Sequence, residues 1–256
     1  MVPDFIEVLS MCRGEDPHIL IHPRRGKREK PLSENGLLLV NPSEALPCHR
    51  RLLQEGGESR FLFNSELTVA RGDNFFLAGP AIGAPMAVLC MEKCIALGAK
   101  KIILYGWCGA ISPDLKTGDV LLPAQALAGE GTSQYYPLSA PAAPTVSLRG
   151  KLAVIYAERG VQVQEGCVWS TDAVYREDRR LLQDLHQRNG VVAVDMEFSA
   201  LCTVARFRNI EFAAVLIVSD ELWGERWRPG FSKELFLVQK EQTLVTLLES
   251  LEASLI

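Results

Sequence analysis

The stretch FFLAGPAIGAPMAVLCMEKCIALGAKKIILYG, residues 75–106, decides the fold class. The apolar run at each end is short and continuous, which is typical of a strand covered on both faces. Between the two runs, Met86, Cys90 and Leu97 fall at helical spacing, and Gly98 follows where a helix C-cap is expected. A strand, a helix and a strand within about thirty residues form a βαβ unit, which predicts parallel pairing.

The same alternation continues along the chain. Further apolar runs predict strands at 37–40, 61–63, 120–123, 191–196 and 212–220, and helical patterns occur near 148–159, from Glu197 and from Ser232. We therefore predict one α/β domain over residues 37–256. Residues 1–36 form a predicted N-terminal extension, in which Arg24, Arg25 and Arg28 belong to a basic run that is typical of a solvated loop.

Composition excludes several classes of function. The net charge of −4 argues against a nucleic-acid partner, and no apolar run approaches the ~20 residues of a membrane helix. The N-terminus lacks the basic region and long apolar core of a signal peptide. Seven cysteines without a CxxC pair and four unclustered histidines predict no metal cofactor. We expect a cytoplasmic protein whose thiols are small apolar core residues.

Carboxylates follow two of the predicted strands. Asp195 and Glu197 come directly after an apolar run, and Asp220 ends another. Ligands of open α/β sheets bind at the carboxyl ends of strands, where a glycine such as Gly83 lets backbone approach a ligand closely. Each acid alone is also explained as a helix cap. Their shared placement favours a binding site over separate caps.

Four stretches carry a resemblance to a known family: residues 83–123, VWSTDAVY (168–175), VVAVDMEFSAL (191–201) and VLIVSDELWG (215–224). In this order they resemble successive motifs of the nucleoside phosphorylase/uridine phosphorylase family, which includes hydrolytic nucleosidases. The likeness covers roughly residues 36–250. It implies a single α/β domain with a central mixed β-sheet, partly closed into a barrel and flanked by helices. It also implies cleavage of the N-glycosidic bond of a nucleoside.

The resemblance assigns roles to the residues at the strand ends. Met196 would pack on the ribose, and Glu197 would accept hydrogen bonds from the 2′- and 3′-hydroxyls, which suits a group that only accepts. Asp220 would act as general acid at N7 of a purine, and the Ser219-Asp220 pair implies a purine-type base. Lys233 lies about where purine phosphorylases place an arginine that assists this aspartate; a surface helix residue is the alternative.

Further site residues follow from the resemblance alone. Val174 and Tyr175 match a region that lines the base pocket, although a core strand and its edge would explain them equally. His18, in the short motif DPHI, matches a histidine that reaches a neighbouring subunit's site and binds the ribose 5′-hydroxyl. The family's shared sites imply a homo-oligomer, either a dimer or a hexamer. A surface histidine is the alternative for His18.

The phosphate-binding pattern of the family is broken. The loop Gly-Asp-Pro-x-Arg is replaced by Val40-Asn41-Pro42-Ser43-Glu44, so that a carboxylate stands where the arginine belongs. A second arginine and a hydroxyl, on either side of Gly106, are replaced by Leu104 and Trp107. The usual site for inorganic phosphate is therefore expected to be lost.

Three interpretations remain open from the sequence. Phosphate is bound instead by Arg24, Arg25 and Arg28, since guanidinium groups suit phosphate geometry; we prefer this phosphorylase by a small margin. Alternatively, Glu44 activates water and the protein is a hydrolase. In the third interpretation Trp107 blocks the site, and the protein binds a nucleoside without cleaving it.

Overall fold

The structure is a computed structural model that describes residues 18–256. The strands of this part of the chain are β1 (Asn35–Leu39), β2 (Glu58–Leu62), β3 (Ser65–Val69), β4 (Phe76–Gly79), β5 (Lys101–Ala110), β6 (Val120–Gly129), β7 (Val163–Thr171), β8 (Val191–Asp195), β9 (Glu211–Glu221) and β10 (Arg228–Pro229). The α-helices are α1 (Pro42–Gln54), α2 (Ala84–Leu97), α3 (Val146–Glu158), α4 (Arg179–Asn189), α5 (Phe198–Phe207) and α6 (Glu234–Glu252). Short 3₁₀ helices lie at Ser133–Tyr135 and Val174–Arg176.

The described strands form one mixed sheet in the order β10-β9-β6-β7-β8-β5-β1-β4-β3-β2. β9 also pairs with β5, in parallel, which closes β9, β6, β7, β8 and β5 into a five-stranded barrel. β1 lies between β4 and β5 and pairs in parallel with both, so the two strands of the unit at residues 75–106 are parallel, as predicted, but not adjacent. The mixed, barrel-like α/β fold is thereby confirmed.

Alternation along β5 separates two cores. Ile102, Leu104 and Cys108 pack in a core with residues of α2 and α5, whereas Ile103 and Tyr105 pack with residues of α1, α3 and α6. Successive side chains of a strand point to opposite faces, so a strand covered on both faces reads as a continuous apolar run. This arrangement buries β5 and makes it a rigid centre for the site.

One boundary and one helix of the structure differ from the prediction. β1 begins at Asn35, so the domain start predicted at residue 37 lies inside this strand. Residues before it pack on the domain: the Leu32 amide donates to the Leu97 carbonyl at 2.8 Å, and Lys93 of α2 pairs with Glu29 at 2.6 Å. The sequence also gave no prediction of α1, whose first residue is Pro42.

Replacing Gly79 with alanine is expected to cost about 3 kcal/mol or more of unfolding free energy. Gly79 ends β4 at a φ of 135°, and an added Cβ would lie 2.1 Å from the Leu39 carbonyl oxygen. Gly72→Ala is the matched control, because Gly72 has a φ of 90° but open space around its Cβ position. Denaturant unfolding measures both variants. Equal losses would show that the contact with Leu39 is relieved at little cost.

Candidate active site where β5, β8 and β9 meet

The ends of β8 and β9 converge on the last residues of β5. Gly109 of β5 pairs with Val194 of β8 on one side and with Asp220 of β9 on the other. The register of β9 shifts between Cys108 and Gly109, and the hydroxyl of Ser219 lies 3.2 Å from the Cys108 carbonyl oxygen. A bulge of this kind redirects the side chains around it. The fold therefore brings the two acidic strand ends together, although β8 runs antiparallel to β5.

Asp195 is buried and supports the start of α5. Its Oδ2 accepts hydrogen bonds from the amides of Glu197 at 3.2 Å and Phe198 at 2.7 Å, and its Oδ1 accepts one from the Ser170 hydroxyl at 2.5 Å. Burial raises the pKa of Asp195 to about 6, against these hydrogen bonds, and the charge of Glu130 acts in the same direction as burial. Asp195 therefore caps α5. From their positions in the sequence, either Asp195 or Glu197 could have had this role.

Glu197 does not cap α5 and points elsewhere. Its side chain is buried, with 5% of the residue exposed, and its Oε1 accepts a hydrogen bond from the Gly83 amide at 2.5 Å. Burial and the nearby charge of Asp195 raise the pKa of Glu197 to about 8. Gly83 has a φ of 84° at the start of α2, a conformation that glycine adopts freely. The structure thus joins two predicted site residues, with Met196 half-buried beside Glu197.

Asp220 accepts a hydrogen bond at each carboxylate oxygen. The Ser219 hydroxyl donates to Oδ1 at 2.6 Å, and the indole nitrogen of Trp227 donates to Oδ2 at 2.7 Å. The Trp227 ring lies 6.1 Å from that of Phe231, which in turn lies 5.9 Å from that of Trp107. An aromatic chain therefore links Asp220 to Trp107, at the position where the resemblance implies a phosphate site.

Lys233 contacts residues other than Asp220 in this structure. Its Nζ lies 3.9 Å from Oε1 of Glu221 and donates to the Thr117 hydroxyl at 3.3 Å. Glu221 follows Asp220 in β9, and neighbouring residues of a strand face opposite sides. Lys233 therefore interacts on the side of β9 away from Asp220, whose carboxylate is held by Trp227 instead.

Trp107 fills the position at the end of β5 that resembles a phosphate site. β1 and β5 run side by side there, because Leu39 pairs with Tyr105. Asn41 lies two residues after Leu39, and Trp107 lies two residues after Tyr105. The Trp107 ring packs edge-on against Phe236 at 5.2 Å. The Nδ2 of Asn41 and the Nε1 of Trp107 are buried without a hydrogen-bond partner among the described residues. Two buried donors near the end of β1 are therefore unpaired among the described residues.

Glu44 is buried at the start of α1 and forms an ion pair with Lys240 of α6. The distance from Lys240 Nζ to Glu44 Oε1 is 2.8 Å, and the ammonium lies 5.4 Å from the centre of the Trp107 ring. The Ser43 hydroxyl donates to Glu44 at 2.9 Å. The carboxylate that replaces the family's arginine is thus neutralised by a lysine that the sequence pattern did not indicate.

The basic run lies away from these groups. Arg24, Arg25 and Arg28 are exposed, and Arg24 lines a groove of about 1040 Å³ along the outside of α2. The Arg24 carbonyl oxygen accepts a hydrogen bond from Lys93 at 2.9 Å. Within residues 18–256, no contact joins the three arginines to Glu197 or Asp220, and neither acid lines the groove. The basic run therefore lies apart from the two acids of its own chain, and its role in binding phosphate stays a prediction.

The remaining predicted residues lie at the surface or serve packing. Val174 and Tyr175 form an exposed 3₁₀ turn after β7, so they are not a core strand. His18 is exposed, and the first two residues of its motif lie outside the described residues. A Cβ at Gly106 would lie 2.8 Å from a methyl group of Val40, so this glycine allows β1 and β5 to pack closely.

Several functional candidates have no signal in the sequence. Lys240 lies in the middle of a long helix, and Trp227 lies in a loop after β9. Only the packing of distant elements brings these residues to the strand ends, so a local pattern could not have identified them.

Neither a metal nor a membrane site is indicated by the described part of the chain. It contains no group of three or more histidine, cysteine or acidic side chains that could hold a metal ion. Its cysteines are free, and burial raises the pKa of each, as for Cys167, the one thiol among them that is only partly buried. None of its helices is long and apolar enough to cross a membrane.

Fold and site together define an α/β barrel protein with buried carboxylates where three strands meet. Residues 26–250 match the model of the Phosphorylase superfamily, and the chain belongs to this family. The resemblance carried by the strand-end motifs is thereby confirmed.

Individual relatives agree with this assignment. The chain is 26% identical over 152 residues to the guanosine phosphorylase of Halorubrum lacusprofundi, a match that covers 59% of this chain and 63% of that protein. It is 27% identical over 204 residues to the DeoD-type purine nucleoside phosphorylase of Caldanaerobacter subterraneus subsp. tengcongensis, covering 77% of this chain and 87% of that one. Purine nucleoside phosphorylase from Toxoplasma gondii, in complex with immucillin-H, superposes on this chain with a TM-score of 0.75 at 22% identity. The superposition covers 92% of this chain and 96% of that one.

Proposed function

We propose that this protein cleaves the N-glycosidic bond of a purine-type nucleoside. The observation that carries the proposal is the buried carboxylate of Glu197, which accepts from the Gly83 amide and lies just after the end of β8, where β8 and the Asp220 segment of β9 both pair with Gly109 and its neighbours in β5. The relatives named as guanosine and purine nucleoside phosphorylases support the same chemistry and base class.

Glu197 is suited to bind the ribose diol. A carboxylate accepts from two neighbouring hydroxyls, and each charge-assisted bond is worth ~1.5–3 kcal/mol. Because the pKa of Glu197 is about 8 in the free protein, hydroxyl donors would favour the anion and displace a proton. Met196, half-buried next to Glu197, is suited to pack on the sugar.

Water is the acceptor that the end of β1 favours. A phosphate dianion there would approach the buried carboxylate of Glu44, whose counterion Lys240 is already paired. Water is neutral, accepts from donors such as Asn41 and Trp107, and can donate to Glu44. Hydrolysis with Glu44 as the base therefore agrees with the contacts better than phosphate bound by the basic run.

Phosphorolysis is the second candidate, and one specific observation supports it. Lys240 Nζ, Asn41 Nδ2 and Trp107 Nε1 are three donors near the end of β1, and two of them have no partner among the described residues. An anion that draws Lys240 away from Glu44 would be bound by these groups. The relatives named as phosphorylases also support this candidate.

The sugar product distinguishes the two candidates. We expect the wild type to form ribose at the same rate with and without phosphate. Glu44→Gln is expected to lower kcat by about 10²-fold or more, as for loss of a general base. Glu55→Gln, at the exposed residue that directly follows the same helix, is the matched control. Phosphorolysis would be favoured instead if the wild type formed ribose 1-phosphate only when phosphate is present, and if Lys240→Met did not form it.

Two further proposals rest on the resemblance alone. A non-catalytic nucleoside-binding protein would bind the substrate through Glu197 and leave it intact. A homo-oligomer in which His18 reaches the site of a neighbouring subunit remains a prediction, which sedimentation of the wild type together with assay of His18→Ala would check.

A further inference from the structure

His49 of α1 is fully buried, and both nitrogens of its ring are in use. Nε2 lies 3.0 Å from the Gly79 carbonyl oxygen, and Nδ1 lies 2.8 Å from the Thr68 hydroxyl. A carbonyl oxygen only accepts, so Nε2 carries the ring proton and donates to Gly79, and Nδ1 accepts from Thr68. Burial lowers the pKa of His49, although the charge of Glu66 and the bond to Gly79 oppose it, so the ring is neutral near pH 7.

The Gly79 carbonyl stands at the start of the segment that leads to the ribose site. Residues 80–83 connect β4 to α2 and contain no helix or strand. At the end of this segment the Gly83 amide donates to Oε1 of Glu197 at 2.5 Å. Because Gly79 is only four residues before Gly83, an anchor at Gly79 restricts where the Gly83 amide can lie.

A second contact joins the same two parts of the chain. The Ala81 amide donates to the carbonyl oxygen of Val40, which is followed by the first residues of α1, at 3.1 Å. α1 carries both Glu44 and His49. The acceptor side of the site, with Glu44, and the ribose side, with Gly83, are therefore held to each other through His49 and Val40.

We infer that His49 is a positioning residue for the ribose site. Its bond to the Gly79 carbonyl holds the segment that ends at Gly83, and so keeps the Gly83 amide directed at Glu197. An apolar side chain could fill the same place in the core, but it would leave the Gly79 carbonyl and the Thr68 hydroxyl without these partners. The inference rests on the proposed function, because it assigns a role in the ribose site of that reaction.

Two amide substitutions at His49 separate its two hydrogen bonds. The side-chain nitrogen of glutamine reaches the place of Nε2, and that of asparagine reaches the place of Nδ1. Each variant therefore keeps one bond and loses the other, and only His49→Gln keeps a donor for the Gly79 carbonyl. A role in stability alone predicts that the two variants have similar effects on activity.

The substrate is guanosine, inosine or adenosine, whichever the wild type cleaves fastest. We expect His49→Asn to raise KM about 10-fold and to change kcat much less, because a misplaced Gly83 amide weakens ribose binding in the ground state and the transition state alike. His49→Gln is expected to keep nearly the wild-type KM, although both variants melt at a lower temperature. His186→Gln is the control, since His186 also contacts a backbone carbonyl, that of Val191 at 2.9 Å, at the end of β8 away from Glu197.

Combining the substitutions shows whether His49 acts through Glu197. In a Glu197→Gln protein, His49→Asn is expected to add little to the loss of kcat/KM, because both changes affect the same contact. Equal KM values for His49→Asn and His49→Gln would overturn the inference and leave the proposed function standing. A full additional loss in the Glu197→Gln protein would do the same.

Failure of the proposed function gives a different result. A wild type that binds a purine nucleoside but returns it intact would contradict the proposed function alone. The comparison of His49→Asn with His49→Gln is then made on the dissociation constant from calorimetry, with the same increase of about 10-fold expected for His49→Asn only. A wild type that neither binds nor cleaves any of the three nucleosides would overturn both.

Discussion

Replacing Glu197 with glutamine is expected to lower kcat/KM for a purine nucleoside by about 10²-fold or more. The amide keeps the size of the side chain but removes the charge, and each charge-assisted bond to a ribose hydroxyl is worth ~1.5–3 kcal/mol. A steady-state assay of base release measures the loss. A 2′-deoxynucleoside, which lacks one hydroxyl, should be affected less by this substitution than the ribonucleoside.

The same substitution is expected to stabilise the protein at alkaline pH. The folded-state pKa of Glu197 is about 8, above the value of 4.5 expected for an unfolded chain. Between these values the folded state binds more protons than the unfolded state, so stability is lost as pH rises through this window. Glutamine stays neutral throughout. The gain in melting temperature over wild type should therefore be larger at pH 8.5 than at pH 5.

Glu165→Gln, which alters an exposed acid of β7, is the control for both measurements. A Glu197→Gln protein with unchanged kcat/KM would exclude Glu197 from the ribose site. A change in melting temperature that does not vary with pH would contradict the raised pKa.

Replacing Asp195 with alanine is expected to destabilise the fold by about 3 kcal/mol or more, since it leaves buried groups unpaired. The lost acceptor serves the amides of Glu197 and Phe198 and the hydroxyl of Ser170. Ser170 Oγ also accepts from the Ser199 amide at 2.8 Å, so the network holds the first turn of α5. Denaturant unfolding measures the change.

Asp195→Asn separates the hydrogen bonds from the charge. The amide oxygen of asparagine replaces one acceptor, so we expect a smaller loss of unfolding free energy than for alanine. Both variants remove the charge that helps to raise the pKa of Glu197, which should bring this pKa closer to its ordinary value. A loss below about 1 kcal/mol in Asp195→Ala would mean that water replaces the cap and that Asp195 is not structural.

The βαβ unit was predictable because its signals are local. Apolar runs, helical spacing and Gly98 all lie within residues 75–106, and the structure has β4, α2 and β5 there. α1 was not predicted, because Pro42, Ser43 and Glu44 read as the altered end of a loop. In the fold they are the first residues of a helix, and the apolar residues of its buried face, Ala45, Cys48 and Leu52, come after them.

The site was predictable only where it coincides with strand ends. Glu197 and Asp220 follow continuous apolar runs, and the rule that ligands bind at the carboxyl ends of strands led to both. The two ends meet at Gly109 even though β8 is antiparallel to β5 and β9 is parallel to it. The partners of these acids come from elements that no sequence spacing connects to them. Lys240 reaches Glu44 from the last helix, and Trp227 reaches Asp220 from a loop, so these contacts depend on tertiary packing.

The central claim is tested most directly by incubating the protein with guanosine, inosine and adenosine and separating free base from nucleoside by chromatography. We expect the wild type to release free base from at least one of them, and Glu197→Gln to release it far more slowly. A wild type that binds a nucleoside, as shown by calorimetry, but returns it intact would contradict the claim and identify a nucleoside-binding protein instead.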